Sequence, residues 1–317
     1  MKILANDGIS QSGVDALEAS GFEVITTNVA QEQLVNYINN NDIVALLVRS
    51  ATKVRTDIID NCPSLKIIGR GGVGMDNIDV EYAREKGLHV INTPAASSHS
   101  VAELVFAHFY GMARFLHNSN RDMPLEGDTN FKKLKKAYAK GTELKGKTLG
   151  ILGFGRIGQA TAKVGLGAGM KVVAYDPYNE KANLNLEFFD GQSVNFEINT
   201  VSKEEVLQQA DFLTLHVPAQ KEYVIDTKDF EMMKDGVIVA NAARGGVVNE
   251  VALVKAIESG KVSRAALDVF EKEPQPEMGL LMNASLSLTP HTGAATNEAQ
   301  DRIGLELAEQ ITEILKN

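Results

Sequence analysis

Short apolar runs alternate with amphipathic stretches along the first ninety residues. Residues 3–5, 23–26, 43–48, 65–68 and 89–91 each have the length and apolar content of a buried strand. Between them, 13–20 and 31–39 carry apolar residues at helical spacing. This alternation predicts a parallel α/β domain of about five strands. A second series follows: 149–152, 172–175, 212–217, 237–240, 265–268 and 286–288 read as strands, and 297–315 as a closing helix. One long helix is predicted over 97–117, capped by Ser97 or Ser98, with Glu103 in its early turns. Its residues Val101, Leu104, Val105, Phe109, Met112, Phe115 and Leu116 make an apolar face wider than one domain needs. Such width fits either deep burial or a contact with a second subunit. Residues 118–140 are polar, and their lysine run reads as a solvated face. Residues 179–200 read as irregular and polar-rich. No internal repeat or low-complexity tract is visible.

Composition narrows the classes. At 317 residues, 44% hydrophobic and 23% charged, the chain has room for two domains with proper cores. A net charge of −9 argues against nucleic acid or an anionic membrane surface as partner. An anionic small-molecule ligand must therefore be drawn by a local basic cluster. The single cysteine, Cys62, excludes an internal disulfide and any multi-cysteine metal site, and no ligand cluster for a metal is present. The N-terminus reads as a strand rather than a signal peptide, and no apolar run reaches membrane-spanning length, so a cytoplasmic protein is expected.

The most specific stretch is 148–177. An apolar run leads into Gly153-Phe154-Gly155-Arg156-Ile157-Gly158, a small-residue helix follows, and a second apolar run ends on Asp176. That is the order of a strand, a glycine turn, a helix and a parallel strand, as in dinucleotide-binding units. Gly153 would permit the sharp turn, Gly155 the approach of a pyrophosphate, and Gly158 the close packing of helix on strand. The helix start offers unpaired N–H groups and a positive dipole end. Asp176 falls about 20 residues on, where a carboxylate can accept bonds from ribose hydroxyls.

Three further motifs fall at strand ends, where open parallel sheets bind ligands. Arg244, within Asn241-Ala242-Ala243-Arg244-Gly245-Gly246, can grip a carboxylate with a planar donor pair, or else bond loop carbonyls. Asp268 ends a strand, and Glu273 lies in the turn after it. His291 lies in Leu288-Thr289-Pro290-His291-Thr292-Gly293, again at a strand end. A histidine backed by a carboxylate can hold and exchange a proton near neutral pH. With an arginine for a carboxylate and a nicotinamide nearby, that is equipment for oxidising a 2-hydroxy acid.

Over essentially its whole length the chain resembles the D-isomer-specific 2-hydroxyacid dehydrogenases. The resemblance implies two doubly wound parallel-sheet lobes: a flavodoxin-like substrate lobe, 1–97 plus 292–317, and a Rossmann NAD lobe, 98–291. It implies that Arg244, Glu273 and His291 are the catalytic trio. It places Asp268 near the nicotinamide carboxamide, and Ala242, Gly293 and the His216-Val217-Pro218 strand end beside the cofactor. It also implies a homodimer built on the helix after Ser97.

Within the family, residues 47–54 and the run Gly69-Arg70-Gly71-Gly72-Val73-Gly74-Met75-Asp76-Asn77 are most similar to the phosphoglycerate dehydrogenase branch. Arg49 and Arg70 then stand where phosphate-contacting arginines are expected. Ser50 and the N–H groups around Val73 and Gly74 would hold the rest of the substrate. Lys136 is the nearest match to a basic residue that is arginine in the relatives. Residues 179–200 look like an insertion, and 221–224 replace a threonine- and glycine-containing turn. No regulatory domain is expected after residue 317, nor feedback by serine through one. The alternatives are a glyoxylate or hydroxypyruvate reductase, which needs no phosphate-binding arginines, and an NAD-sensing corepressor of the same fold.

Overall fold

The computed structural model describes residues 1–316. The chain forms two compact units, Met1–Ser100 with the residues from Ala294 onward, and Val101–Gly293. In chain order the elements are β1 (Lys2–Ala5), α1 (Gln11–Ala19), β2 (Glu23–Ile25), α2 (Leu34–Asn40), β3 (Ile43–Val48), α3 (Thr56–Asn61), β4 (Ile67–Arg70), α4 (Val80–Glu85) and β5 (His89–Asn92). Then come α5 (Ser98–Ala113), α6 (Leu116–Glu126), α7 (Phe131–Ala137), β6 (Thr148–Leu152), α8 (Arg156–Gly167), β7 (Lys171–Tyr175), β8 (Lys181–Glu187) and β9 (Ser193–Asn199). The remainder is α9 (Lys203–Gln209), β10 (Phe212–Leu215), α10 (Thr227–Met232), β11 (Val237–Asn241), α11 (Glu250–Glu258), β12 (Val262–Leu267), α12 (Met278–Leu281), β13 (Leu286–Leu288) and α13 (Asn297–Lys316). No described helix is long and apolar enough to cross a membrane.

The first unit is a parallel sheet in the order β2-β1-β3-β4-β5, the flavodoxin-like arrangement. Its strands are continuous apolar runs because helices cover both faces. One face is closed by α1 and α13, which cross at two glycines: a Cβ on Gly13 would lie 2.7 Å from Gly304 Cα. Ile303, Leu307, Ala308 and Ile311 of α13 complete a core with Ile3, Leu17, Leu47 and Ile67. The order reverses between β1 and β3, so their carboxyl ends flank the sheet's switch point, the usual place for a ligand.

The second unit is a parallel sheet in the order β13-β12-β11-β10-β6-β7. Its switch point lies between β6 and β10. Outside β7, where a doubly wound sheet of this kind carries one more strand, only a single parallel bridge remains, Ala174 to Thr200. Residues 179–200, expected to be irregular, instead form a regular antiparallel hairpin of β8 and β9. Ala182 and Leu184 are buried, and Leu186, Phe196 and Ile198 join them against the core shared with α8. Phe188, Phe189 and Val194 near its tip stay exposed.

The long helix expected over 97–117 is two helices. Phe115 takes left-handed backbone (φ 55) and ends the first at Ala113, with the Arg264 guanidinium 4.0 Å from its ring centroid. The wide apolar face of α5 is also explained within one chain. Val105 and Phe109 are fully buried, and Phe109 meets Phe212 of β10 edge-on at 5.2 Å between ring centroids. What α5 leaves outside is the stripe His99, Glu103, Ala107 and Tyr110, and a homodimer through this helix would have to use that stripe.

Phe109→Ala should therefore cost about 3–5 kcal/mol of unfolding free energy, and Val105→Glu should prevent folding, since it buries an unpaired charge. Leu116→Glu, at a position 64% exposed, should stay within about 0.5 kcal/mol of the parent. Urea denaturation followed by circular dichroism measures all three. A folded, soluble Val105→Glu protein would restore the subunit-contact reading.

Candidate active site

The glycine turn after β6 is built by steric exclusion. A Cβ on Gly153 (φ 93) would sit 2.5 Å from the His216 carbonyl oxygen, where β10 ends beside the turn. A Cβ on Gly158 would lie 2.1 Å from the Gly153 oxygen, so α8 packs directly on the turn. Gly155 has nothing within 4 Å of its own added Cβ. It caps α8 without a side chain, and the N–H groups of Arg156, Ile157 and Gly158 begin the helix with no earlier carbonyl in reach. An open glycine in front of unpaired N–H groups at the positive end of a twelve-residue helix fits a pyrophosphate.

Asp176 at the end of β7 serves the turn as well. Its Oδ2 accepts the Phe154 N–H at 2.6 Å, and Oδ1 accepts Tyr178 N–H, Asn179 N–H and Asn179 Nδ2. A carboxylate has about four acceptor positions, and Oδ2, with one donor on it, keeps one open. Phe154 itself was expected to border the cofactor. Its ring is fully buried in the core and its N–H is spent on Asp176, so what it contributes is the shape of the turn. His216 stands on the other side of the switch point. Its Nε2 lies 3.1 Å from Thr161 Oγ1 and 3.2 Å from Thr214 Oγ1, while Nδ1 is sealed without a partner among the described residues. Burial pushes the imidazole down to about 3, so the ring is neutral. Val217 is half-buried against the core, and Pro218 is exposed beyond it.

Farther along the same edge, Arg244 follows β11. Its Nη1 donates to the Ala243 carbonyl at 2.7 Å, and Asn241 Nδ2 holds the Arg244 carbonyl at 2.9 Å. Ala242 packs against the core beside it. Gly245 has no room for a side chain, since a Cβ would meet the Phe270 oxygen at 1.8 Å. Glu273 accepts the Phe270 N–H with Oε1 and meets His291 Nδ1 with Oε2 at 2.9 Å. It is thus a turn residue and a histidine partner at once. His291 is 46% exposed as a side chain, and its Nε2 makes no bond among the described residues. Its backbone is left-handed, φ 54, and its N–H bonds the Thr289 carbonyl. Asp268, 1% exposed, accepts Thr289 Oγ1 at 2.6 Å and Thr292 N–H at 2.8 Å with Oδ1, and Gly293 N–H at 2.9 Å with Oδ2.

In the first unit Arg49 follows β3 at the switch point. Asp7, after β1, accepts the N–H groups of Arg49 and Thr52 and the Thr52 hydroxyl. Asn77 holds the carbonyls of Arg49 and Thr52 from the other side. Neither clamp was foreseen from sequence. The half-buried Arg49 guanidinium has no carboxylate or carbonyl partner among the described residues, and its stem runs along Gly71, where a Cβ would lie 3.6 Å from Arg49 Cγ. Arg70 folds over Gly72 so closely that a Cβ there would be 1.8 Å from its Nη1. The N–H groups of Val73 and Gly74 donate to no described residue, while the Val73 carbonyl is tied to Asn92 Nδ2 at 2.8 Å. Ser50 is exposed in the clamped loop. Lys136 belongs to the second unit, exposed on α7.

Known proteins bear on this arrangement. Residues 106–293 match the D-isomer specific 2-hydroxyacid dehydrogenase, NAD binding domain. The chain is 41% identical over 321 residues to the D-3-phosphoglycerate dehydrogenase of Methanocaldococcus jannaschii, covering 100% of itself but 58% of that protein. It is 42% identical over 316 residues to the hydroxypyruvate reductase of Thermotoga maritima, covering 98% of itself and 97% of the relative. It therefore spans little more than half the length of the phosphoglycerate dehydrogenases it matches. Among solved structures, the TT0316 protein from Thermus thermophilus superposes with a TM-score of 0.84 at 28% identity, covering 100% of this chain and 97% of that one. D-lactate dehydrogenase from Aquifex aeolicus, complexed with NAD and lactic acid, superposes with a TM-score of 0.75, also at 28% identity, covering 100% and 96%. The chain belongs to the D-isomer specific 2-hydroxyacid dehydrogenases, and its second unit contains their NAD binding domain.

Proposed function

We propose that the chain oxidises D-3-phosphoglycerate to 3-phosphohydroxypyruvate with NAD, the reaction that opens serine biosynthesis. The observation that carries this reading is Arg49: a half-buried guanidinium with no partner among the described residues, clamped at a switch point beside a glycine turn with unspent N–H groups. A chain of net charge −9 concentrates Arg49, Lys53 and Arg70 in that one region. Such a cluster suits a ligand charged at both ends. The N–H groups of Val73 and Gly74 take its carboxylate, Arg49 and Arg70 its phosphate, and Ser50 and Lys136 belong to the same substrate set. The second reading is a hydroxypyruvate reductase, favoured by the 42% identical relative. It shares the chemistry and differs in having no phosphate to bind.

Bound NAD supplies the hydride acceptor. Its pyrophosphate falls to the N–H groups that begin α8, and its ribose to Asp176, with His216, Ala242, Asp268 and Gly293 along the same edge. Arg244 holds the substrate's carboxylate end at carbon 2. His291 takes the hydroxyl proton on Nε2, the nitrogen that Glu273 leaves open, as the hydride departs from carbon 2. Glu273 fixes the ring through Nδ1 and offsets the positive charge that the ring acquires.

Mutation of each group tests this. His291→Ala should lose on the order of 10²–10⁴ in turnover. Glu273→Gln, which keeps a partner for Nδ1 but removes the charge that offsets the one the ring acquires, should lower kcat with little change in KM; a parent-like kcat would show that the pair is only structural. Asp176→Asn removes the charge and keeps one of the two acceptor oxygens of the turn. It should raise efficiency with NADP relative to NAD by at least about tenfold, since like charges ~4 Å apart repel by roughly 4 kcal/mol before screening. Last, Arg49→Ala should lower kcat/KM on 3-phosphohydroxypyruvate by at least about tenfold, because removing one partner of a partly buried charge pair costs about 2–5 kcal/mol. Its efficiency on unphosphorylated hydroxypyruvate should barely change. Equal losses on both substrates would favour the reductase.

A further inference from the structure

Behind the loop that presents His291 lies a buried histidine that the reading above leaves without a role. His108 of α5 is 5% exposed. Its Nδ1 is 2.8 Å from Ser287 Oγ, and its Nε2 is 3.1 Å from Thr289 Oγ1. The direction of these bonds follows from their far end. Asp268 receives donors on both carboxylate oxygens and has only acceptors to offer, so the Thr289 hydroxyl must donate to it at 2.6 Å. With its proton committed, Thr289 Oγ1 can only accept from His108, which places the ring proton on Nε2. Nδ1 then carries the lone pair and accepts from the Ser287 hydroxyl. Burial holds the His108 imidazole below its ordinary value against the opposing charge of Asp268, in keeping with a neutral ring. The result is one directed chain: Ser287 hydroxyl to His108, His108 to Thr289, Thr289 to Asp268.

Asp268 is also what grips the N–H groups of Thr292 and Gly293, the two residues after His291. His291 needs that grip. A left-handed backbone at a residue with a Cβ is strained and persists only where its surroundings hold it. Without the N–H of His108, the Thr289 hydroxyl could turn away from Asp268, whose Oδ1 would then lose its 2.6 Å bond and keep the Thr292 N–H as its main donor.

We propose that His108 is a positioning residue for the acid–base group: it sets the Thr289 hydroxyl on Asp268, and so fixes the strained loop that carries His291. This rests on the reading of His291 as the group that exchanges the substrate's proton.

The test uses His108→Gln, His108→Asn and His108→Phe in the full chain, alongside Thr289→Val and His291→Ala, assayed for NADH-dependent reduction of 3-phosphohydroxypyruvate and of hydroxypyruvate. A glutamine amide can reach the Nε2 position and donate to Thr289, whereas an asparagine amide reaches only the Nδ1 position, and phenylalanine keeps the volume without a donor. His108→Gln should therefore stay within about threefold of the parent kcat, while His108→Asn and His108→Phe should each lose roughly tenfold, the scale on which a misplaced catalytic group costs rate. Thr289→Val breaks the next link with its shape kept and should show the same loss. The double variant His108→Phe/Thr289→Val should lose no more than either single, since both cut one chain. If Gln, Asn and Phe all lose equally, or the losses of the double variant add, His108 acts by packing and the proposal fails. If His108→Phe keeps the parent kcat while His291→Ala is inactive, only the positioning role falls. If His291→Ala is active, the acid–base reading falls first. Should His108→Phe not fold, the comparison of Gln with Asn and the Thr289→Val variant decide.

Discussion

The carboxyl edge of the six-stranded sheet is packed backbone against backbone, and the candidate site depends on that crowding. At Gly153, Gly158 and Gly245 an added Cβ would come within 1.8–2.5 Å of a carbonyl oxygen of a neighbouring segment. Side chains are excluded at these points, so the edge presents N–H groups and strand ends instead. Asp176, Arg244, Asp268 and the His291–Glu273 pair stand at that edge, each tied to a backbone group nearby. Crowding of this kind supplies rigidity where the chemistry needs atoms held to fractions of an ångström.

The parts of the molecule with a local steric or apolar signature were legible in the sequence. The strands of both sheets are continuous apolar runs because they are covered on both faces, and the glycine pattern is readable because Gly153 and Gly158 each answer a close approach. Other parts carried ambiguous signals. A helix buried by its own chain shows the same broad apolar face as one buried by a partner, so Val105 and Phe109 alone could not separate the two. The hairpin of β8 and β9 was hidden by the asparagines between its inward residues, although Asp190-Gly191 between alternating apolar positions is a recognised hairpin signal. Gly191 indeed has φ 85.

His108 was not legible at all. It stands in an apolar stretch of α5, and its partners lie 179 and 181 residues farther along. Nothing local distinguishes it from an ordinary core residue. The Asp7 and Asn77 clamps on the Arg49 loop have the same character, since they are set by strand order and by turns contributed from distant parts of the chain. Polar networks that join separate elements are properties of topology, and a single sequence shows only their members.

The crossing of α1 and α13 constrains how the molecule is made. Ile3, Leu17, Leu47 and Ile67 share their core with Ile303, Leu307 and Ile311, so one face of the first sheet is covered by α1 alone until α13 exists. A ribosome moving at about 5–20 residues per second therefore releases the complete β6–β13 unit, able to fold on contacts already present, while the earlier unit still waits for its final layer. Contacts between segments this far apart in sequence are slow to form. Of the two units, the one read first from the message is completed after the other.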